Sequence, residues 1–177
     1  ATSVAVVGGP TNGAAVPNAD GTITYTHNGS ETTADSFTYT MDDVDGATSN
    51  IATVTITVNP VNDAPQLIVN QTLTVNEGGT GAIIQSLLEH TDDDHDAGEL
   101  TYTLTVAPIN GQLEANGTAI ALNETFTQAQ INAGAITYTH DGSETVTDSF
   151  GFKLTDNVIA APLTGTFNIN ITGENDL

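Results

Sequence analysis

Two copies of one 15-residue pattern dominate this chain. Residues 23–37 and residues 136–150 share the run Ile-Thr-Tyr-Thr-His, a Gly-Ser-Glu-Thr turn one residue later, and the closing Asp-Ser-Phe. The offset of 113 positions (136 minus 23) also carries Asp43 onto Asp156 and residues 62–63 onto residues 175–176. A period that stays in register over such a distance indicates tandem modules.

The boundary between the modules is predicted at the run Pro60-Val-Asn-Asp-Ala-Pro65. Two prolines remove backbone donors from a strand ladder and stiffen a short connection. We therefore divide the chain into residues 1–61, a linker at 62–66, and a complete module at 67–177. Residues 1–61 are the C-terminal part of a module or a shortened module.

Apolar residues alternate with threonines in most segments, which is typical of half-buried strands. Ile23, Tyr25 and His27 share one strand face, for example, while residues 14–21 are expected to form a loop. Residues 67–76 are expected to form one strand, residues 84–90 a turn or short helical segment, and residues 127–133 one helical turn.

Short strands between Gly, Asn, Asp and Pro turns predict an all-β fold of tandem Greek-key β-sandwich modules with an immunoglobulin-like architecture. The expected core consists of the inward-facing residues of these strands. They are Tyr25, Phe37, Tyr39, Val54 and Ile56 in the first module, and Tyr102, Leu104, Ile136, Tyr138, Phe150, Phe152, Leu154, Phe167 and Ile169 in the second.

The charge of the chain excludes several classes of partner. There are 22 acidic residues against one basic residue, Lys153, which gives a formal net charge of −21. Nucleic acids and anionic membranes are bound through Lys and Arg, so neither is an expected partner.

The absence of cysteine excludes disulfides and thiolate metal sites. No run approaches the ~18 apolar residues of a membrane helix, and the first residues lack signal-peptide features, so we expect sorting signals to lie outside this chain.

The only chemically functional groups that cluster in the sequence are side chains that can supply oxygen ligands to a metal ion. Asp92, Asp94 and Asp96 occupy alternate positions, with Gly98 and Glu99 directly behind them. This spacing can direct three carboxylates at one point, and calcium takes six to eight oxygen ligands from flexible loops. An acidic solvated turn is the alternative interpretation. A transition-metal site at His90 and His95 is a second alternative interpretation.

No catalytic pattern accompanies these carboxylates. Hydrolase chemistry needs a nucleophile beside its base, or two carboxyl groups with separated pKa values in an apolar pocket. His27 and His140 each precede a Gly-Ser turn at a strand end, so we expect packing or hydrogen-bonding roles for them. The sequence therefore predicts a protein that is not an enzyme.

Three segments carry a resemblance to a known family. Residues 62–65, Asn-Asp-Ala-Pro, resemble the linker of cadherin-like modules, and residues 91–102 resemble the acidic stretch that opens their second strand. Residues 126–144 are similar to the chondroitin sulfate proteoglycan-type repeat, a cadherin-like variant. The chain as a whole looks like the cadherin-like repeats of large bacterial surface adhesins, including those of the RTX type.

This resemblance implies calcium sites at the ends of the modules. At the internal junction the matching residues are Asn28, Glu31, Asn62, Asp63, Asp92, Asp94 and Asp156, and the spacing argument adds Asp96 as a candidate ligand. A second set at the far end of the second module is Glu77, Asp141, Glu144, Asn175 and Asp176.

The function implied is that of a calcium-rigidified spacer in a secreted or surface adhesin. A carbohydrate- or protein-binding module of a surface protein or exported enzyme is the alternative. Expected partners are neighbouring repeats of the same chain and, through other domains, host or surface glycans or proteins. A monomer without direct membrane insertion is expected.

Overall fold

A computed structural model describes residues 3–158 and 162–174. The chain divides into two compact units, Ala1–Val61 and Asn62–Leu177. Both are built from β-strands, so the all-β fold class predicted from the alternating sequence is confirmed. No helix in the described part of the chain is long and apolar enough to cross a membrane.

The first unit contains two small antiparallel sheets. Its strands are β1 (Ser3–Gly8), β2 (Gly13–Pro17), β3 (Ile23–His27), β4 (Ala34–Asp42) and β5 (Ala52–Thr57). One sheet has the order β1-β4-β5, and the other pairs β2 with β3. The expected loop at residues 14–21 is therefore wrong in its first part, because β2 pairs along its length with β3.

The core predicted for the first unit is only partly correct. Phe37 is buried, with 5% of its surface exposed, but Tyr25, Tyr39, Val54 and Ile56 are only half-buried. For Tyr25 on β3, and for Val54 and Ile56 on β5, the reason is topological, since each of these two strands has one partner strand among the described residues. Side chains that face inward from these strands therefore lack a cover on one side.

The second unit has a larger set of strands in three sheets. They are β6 (Gln66–Asn70), β7 (Leu73–Asn76), β8 (Thr80–Ile83), β9 (Leu88–Thr91), β10 (Thr101–Val106), β11 (Gly111–Ala115), β12 (Thr118–Ala119), β13 (Thr125–Thr127), β14 (Ile136–His140), β15 (Thr147–Thr155) and β16 (Leu163–Thr172). The sheet orders are β13-β10-β15-β16-β7, β12-β11-β14-β8 and β6-β9. Strand β7 runs parallel to β16, whereas the other described pairs are antiparallel.

The predicted single strand at residues 67–76 is two strands with a break at residues 71–72. Strand β6 pairs with β9, while β7 joins the edge of β16 in a different sheet. The expected turn or helical segment at residues 84–90 is correct for its turn, but its last residues belong to β9. A strand that changes sheets cannot be recognised from alternation, because the alternation continues through the break.

The core of the second unit agrees with the sequence. All nine residues predicted for it are at most 2% exposed, and they form one cluster with Leu73, Val75 and Ile83. Tyr102 stacks on Phe126 with ring centroids 5.0 Å apart and planes at 3°. This packing lies between β10 and β13, which are neighbouring strands of the five-stranded sheet.

The one helix of the described residues, α1 (Gln128–Asn132), lies in a segment that the first unit lacks. Thr127 and Gln130 form a capping box at its start, which satisfies two free backbone N–H groups. Gln128 is 1% exposed and its side chain accepts from the backbone N–H of His90 and from the hydroxyl of Tyr102. The single helical turn predicted at residues 127–133 is confirmed.

Candidate metal centre

Asp92 organises the acidic loop that follows β9. Its Oδ1 accepts hydrogen bonds from the backbone N–H groups of Asp94 at 2.9 Å and His95 at 3.0 Å. The same oxygen lies 3.2 Å from Nδ1 of His95. The Asp92 side chain is fully buried, and its second oxygen, Oδ2, has no hydrogen-bond partner among the described residues. One carboxylate oxygen therefore folds the loop, and the other makes no hydrogen bond within the described part of the chain.

The start of the second unit is tied to this loop and to the end of β15. The side-chain amide of Asn62 donates to Oδ2 of Asp156 at 2.8 Å, and the backbone N–H of Asp63 donates to Oδ2 of Asp94 at 2.6 Å. Asp156 is 2% exposed, and its Oδ1 accepts from the backbone N–H of Val158. Four of the residues predicted as ligands, Asn62, Asp63, Asp94 and Asp156, are thus linked by direct bonds.

Three side chains converge closely enough to share an ion. Asp92, Asp94 and His95 each offer one ligand atom, and these atoms lie within 4.8 Å of one another. Partial burial acts to lower the pKa of His95, but the hydrogen bond with Asp92 and the charge of Asp156 leave that pKa above its ordinary value. The pairing of His95 with Asp92 was not predicted. An imidazole three positions after an aspartate in a tight acidic loop is the signal that could have indicated it.

Asp96 has a different position from the other acidic residues of the loop. It is exposed, and its backbone N–H donates to Oε2 of Glu99 at 3.0 Å. Its carbonyl accepts from the backbone N–H of Glu99, so Asp96 and Glu99 close the turn that leads into β10. The group of converging ligand atoms does not include Asp96, and its role as a ligand stays a prediction.

His140 joins the two turns that carry the second predicted set of ligands. Its Nδ1 accepts from the backbone N–H of Gly78 at 3.1 Å and of Gly142 at 3.2 Å, while Nε2 lies 3.0 Å from the hydroxyl of Thr145. The hydrogen-bonding role expected for this histidine is confirmed. Glu77 and Asp141 each adjoin one of these glycines, so His140 holds their turns together.

The carboxylates of Glu77 and Asp141 accept hydrogen bonds from different backbone groups. Oε2 of Glu77 accepts from the backbone N–H of Glu174, and Oδ1 of Asp141 accepts from that of Ser143. The hydrogen bonds from Ser143 hold the pKa of Asp141 below its usual range. Glu144 is exposed, and Asn175 and Asp176 lie outside the described residues.

Asn28 and Glu31 belong to the first unit. Oδ1 of Asn28 accepts from the backbone N–H of Ser30 at 3.0 Å, which forms the turn after β3. Glu31 is exposed in the same turn. Their assignment as ligands stays a prediction.

One pair of acidic residues has a structural role that the sequence did not reveal. Asp35 and Asp148, which are related by the repeat, each accept from two consecutive loop N–H groups, from the N–H of the next residue and from a tyrosine hydroxyl. The tyrosines are Tyr25 and Tyr138, 2.9 Å away in both units. Burial and the neighbouring carboxylate raise the pKa of both hydroxyls. The recurrence of Tyr and Asp ten residues apart is the signal for this motif.

His90 faces the interior of the second unit. Its Nδ1 lies 2.8 Å from the hydroxyl of Tyr102, and its ring packs edge-on against Tyr102 and Phe152. Burial lowers the pKa of His90 to about 4 and raises that of Tyr102. The imidazole is therefore neutral at physiological pH and belongs to the hydrogen-bond network around Gln128.

Family models match both units. A model described as cadherin-like matches residues 65–171, and one described as a bacterial cadherin-like domain matches residues 1–60.

Curated relatives include a chondroitin sulfate proteoglycan and proteins named for the extracellular matrix. Human chondroitin sulfate proteoglycan 4 is 36% identical over 143 residues, which is 79% of this chain and 6% of that protein. The human extracellular matrix organizing protein FRAS1 is 32% identical over 137 residues, 76% of this chain and 3% of that protein. Extracellular matrix protein 3 of Lytechinus variegatus is 46% identical over 65 residues, 37% of this chain and 2% of that protein. This chain therefore spans only a few per cent of the length of these relatives.

Among solved structures, an endo-fucoidan hydrolase of glycoside hydrolase family 107 aligns with 98% of this chain and 24% of its own chain. The identity is 21% and the TM-score is 0.40, so this likeness carries no argument about function.

Proposed function

This chain belongs to the cadherin-like family, and from that premise we propose that it is a non-enzymatic, calcium-binding repeat segment that acts as a spacer in an adhesin. Cadherin-like modules and the matched matrix proteins are extracellular, so the chain is secreted or lies at the cell surface. Its family supports a role in adhesion or in the extracellular matrix. Calcium binding and the spacer role are the finer parts of the proposal.

The single observation that carries the calcium proposal is the unpaired Oδ2 of Asp92. A buried polar atom without a partner costs roughly 1–3 kcal/mol, and more when it is charged. Native proteins leave few such atoms, and a bound ion is one of the groups that can satisfy them. Here the unpaired oxygen belongs to a fully buried carboxylate beside a second carboxylate, so a cation is the partner that fits.

The donor set is suited to calcium. Asp92, Asp94, Asp63 and Asp156 supply carboxylates, and Asn62 uses its amide N–H groups on protein acceptors, which leaves its side-chain oxygen for a cation. Calcium accepts carboxylate and amide oxygens in irregular loops, whereas magnesium demands octahedral geometry and keeps its water. The residues that would hold calcium in the second unit are therefore Asn62, Asp63, Asp92, Asp94 and Asp156.

Electrostatics supports a dependence on the ion. Two carboxylates about 4 Å apart repel by roughly 4 kcal/mol at an effective dielectric constant of about 20. Lys153 is the chain's one Lys or Arg, and it lies on β15 rather than in the loop. Calcium would convert this repulsion into attraction and would hold the loop and the linker residues in one arrangement.

The spacer role rests on the way in which residues 62–63 are held. Both are bonded to loops of the second unit, so the linker does not begin as a free chain. Pro60 and Pro65 restrict the backbone on either side. In an array of such modules, calcium at this position would stiffen each linker.

Two observations favour this proposal over the alternatives. Glycan-binding modules present aromatic platforms, but none of the nine Phe and Tyr residues, all within the described part of the chain, is exposed, and the sequence has no Trp. Asp148, His90 and His140 are occupied by backbone N–H groups or by hydroxyls. This arrangement supports a structural role for them rather than a catalytic one.

The test is a comparison of melting temperatures in chelator, in calcium and in magnesium. A ligand that binds the folded state stabilises it by about 2.7 kcal/mol at one hundred times its Kd. We expect calcium to raise the melting temperature by several degrees and magnesium to raise it far less. Identical melting curves in chelator and in calcium would refute the proposed calcium site.

A second measurement addresses the spacer role. Probes placed in the first and second modules report the distribution of distances between them, and we expect this distribution to narrow when calcium is added. If calcium raises the melting temperature but leaves the distribution unchanged, the chain binds calcium without acting as a stiffened spacer.

A further inference from the structure

The turn after β3 contains an exposed Asn-Gly pair, Asn28 and Gly29. Gly29 has φ = +86°, and a Cβ at this residue would meet no heavy atom within 4 Å apart from those of its chain neighbours. The backbone nitrogen that follows an asparagine can attack the side-chain amide of that asparagine. In this turn the attacking nitrogen and the amide belong to adjacent, exposed residues, so the chain supplies both reactants in one place.

His27 accepts a hydrogen bond from the attacking nitrogen. The backbone N–H of Gly29 donates to Nδ1 of His27 at 3.3 Å, while Nε2 of the same ring lies 3.0 Å from Oγ1 of Thr32. A neutral imidazole carries one ring proton, so a ring that accepts at Nδ1 carries its proton on Nε2 and donates it to the Thr32 hydroxyl. The lone pair of Nδ1 therefore faces the proton that the Gly29 nitrogen loses when it becomes a nucleophile.

The side-chain amide of Asn28 is held as well. Its Oδ1 accepts from the backbone N–H of Ser30 at 3.0 Å. This N–H group faces the oxygen on which negative charge develops when Cγ of Asn28 is attacked. The turn thus has a base on the nucleophile and a donor on the carbonyl oxygen, the two groups that accelerate attack on an amide.

The second unit has the same turn with an aspartate in it. The offset of 113 residues places Asp141 at the position of Asn28. The backbone N–H of Gly142 donates to Nδ1 of His140 at 3.2 Å, and that of Ser143 donates to Oδ1 of Asp141 at 2.9 Å. The turn therefore accommodates a carboxylate with the contacts that it gives to the amide. An aspartate at position 28 would keep both of these hydrogen bonds.

We propose that Asn28 is a site of self-modification, at which the turn of residues 27–32 converts the asparagine to an aspartyl residue. Nδ1 of His27 removes the proton from the Gly29 nitrogen, a bond forms between that nitrogen and Cγ of Asn28, and the Cγ–Nδ2 bond breaks. The proton passes to Nδ2, which leaves as ammonia. One water molecule then opens the five-membered imide to aspartate or to its β-linked isomer, and no oxidant or reductant is consumed.

The chain contains three further Asn-Gly pairs, and their surroundings differ. Asn12 and Asn110 are half-buried, and the glycines that follow them begin strands β2 and β11. Asn116 is exposed like Asn28, but its φ is 51°, and among the described residues no histidine or carboxylate accepts from the N–H of Gly117. Asn116 is therefore a control within the same chain, an exposed Asn-Gly pair without the base.

The reaction gives the first unit the acidic turn that the second unit already has. Water is the only co-reactant, so the reaction can proceed outside the cell. Asn28 is one of the predicted calcium ligands, and the product adds a negative charge at its position. A gain in calcium affinity from this charge rests on the proposed calcium function, whereas the reaction itself does not.

The experiment incubates the full chain at neutral pH in chelator, so its result is independent of calcium binding. Proteolysis and mass spectrometry then measure the conversion of amide to acid separately at Asn28 and at Asn116. We expect Asn28 to react at least about tenfold faster in the folded chain, because a positioned general base contributes rate factors of roughly 10²–10⁴. The two rates should become similar in the urea-unfolded chain. The variant H27Q should lower the rate at Asn28 to that of Asn116.

Two substitutions create matched Asn-Gly pairs elsewhere in the chain. D141N places one beside His140 in the equivalent turn. D20N places one where the backbone N–H of Thr22 donates to the side-chain oxygen, but where the N–H of Gly21 donates to a backbone carbonyl instead of an imidazole. We expect D141N to react at least about tenfold faster than D20N, since the two turns share the donor and differ in the base.

D141N leaves the first unit unchanged, so this comparison decides the matter if H27Q does not fold. Equal rates at Asn28 and Asn116 in the folded parent would overturn the proposal. An undiminished rate at Asn28 in folded H27Q would do the same, and so would a D141N rate no higher than that of D20N.

Discussion

The side-chain amide of Asn62 donates a 2.8 Å hydrogen bond to Oδ2 of Asp156, joining residues 94 positions apart. It connects the first residue of the second unit to the end of β15, where Asp156 is buried. The position of the chain at its entry into the unit is therefore set by a side chain near the unit's far end.

Replacing Asn62 by Ala should weaken both the linker and the calcium site. Removal of the amide leaves the buried Asp156 without one donor, which we expect to lower the free energy of unfolding in chelator by roughly 1–3 kcal/mol. Calcium affinity should fall as well, because one oxygen ligand is lost. Denaturant titrations with and without calcium measure both effects. The exposed Asn59 provides the control, and an N59A variant with the same losses would contradict this role of Asn62.

The variant D92N should separate the folding role of Asp92 from its role in metal binding. Asparagine keeps an oxygen for the N–H groups of Asp94 and His95, but it replaces the unpaired Oδ2 with a neutral donor. Because the buried charge is removed, we expect the free energy of unfolding in chelator to rise by about 1 kcal/mol. The stabilisation by calcium should disappear. The matched control is D93N, which removes one charge from a neighbouring position. A calcium response in D92N equal to that of D93N would show that Asp92 does not bind the ion.

Gln128 should be among the most sensitive polar residues of the second unit. Its side chain accepts from His90 and Tyr102 and donates to the carbonyl of Leu88 and to Asn132. The variant Q128A leaves several buried groups unpaired, so we expect a loss of about 3 kcal/mol or more in unfolding free energy. Q130A, which removes part of the capping box, should cost only about 1 kcal/mol. Similar losses in the two variants, measured by denaturation, would contradict the proposed network.

The stability of the second unit should fall between about pH 6.5 and pH 4. Burial lowers the pKa of His90 to about 4 in the folded state, so the unfolded chain binds an extra proton in this range and folding is weakened as pH falls. The total loss is on the order of 3 kcal/mol. His95 acts in the opposite direction, because its folded pKa is raised.

Denaturation in chelator at pH 7 and pH 5 checks this prediction, since no metal release then contributes. The variant H90Q should lose less stability than the parent between these values. If H90Q and the parent have the same pH dependence, the buried imidazole is not its source.

Local pattern and tertiary context explain different parts of this structure. Strands β3, β4, β5, β14 and β16 follow from alternating side chains, because one face of each is turned to the interior. Strand β2 was missed, since Gly13-Ala-Ala-Val-Pro17 has weak strand propensity and is held by pairing with β3.

The candidate site also has a part that local sequence predicts and a part that depends on tertiary packing. The loop at Asp92 and Asp94 could be found from spacing, because both residues are close in sequence and their contacts are local. The hydrogen bond between Asn62 and Asp156 depends on how distant strands pack, and so does the burial of Asp92 Oδ2 without a partner among the described residues. Neither could be found from spacing.

The parallel ladder of β7 and β16 has a mechanical consequence. The chain enters β7 at Leu73, opposite Ile169, and leaves β16 at Thr172, opposite Asn76, so entry and exit lie at opposite ends of the ladder. Tension between these two points pulls the strands past each other and loads all the rungs of the ladder at once. An antiparallel hairpin pulled from its open end gives way one rung at a time. This module is therefore joined in shear, the geometry in which a few short hydrogen bonds resist stretching together.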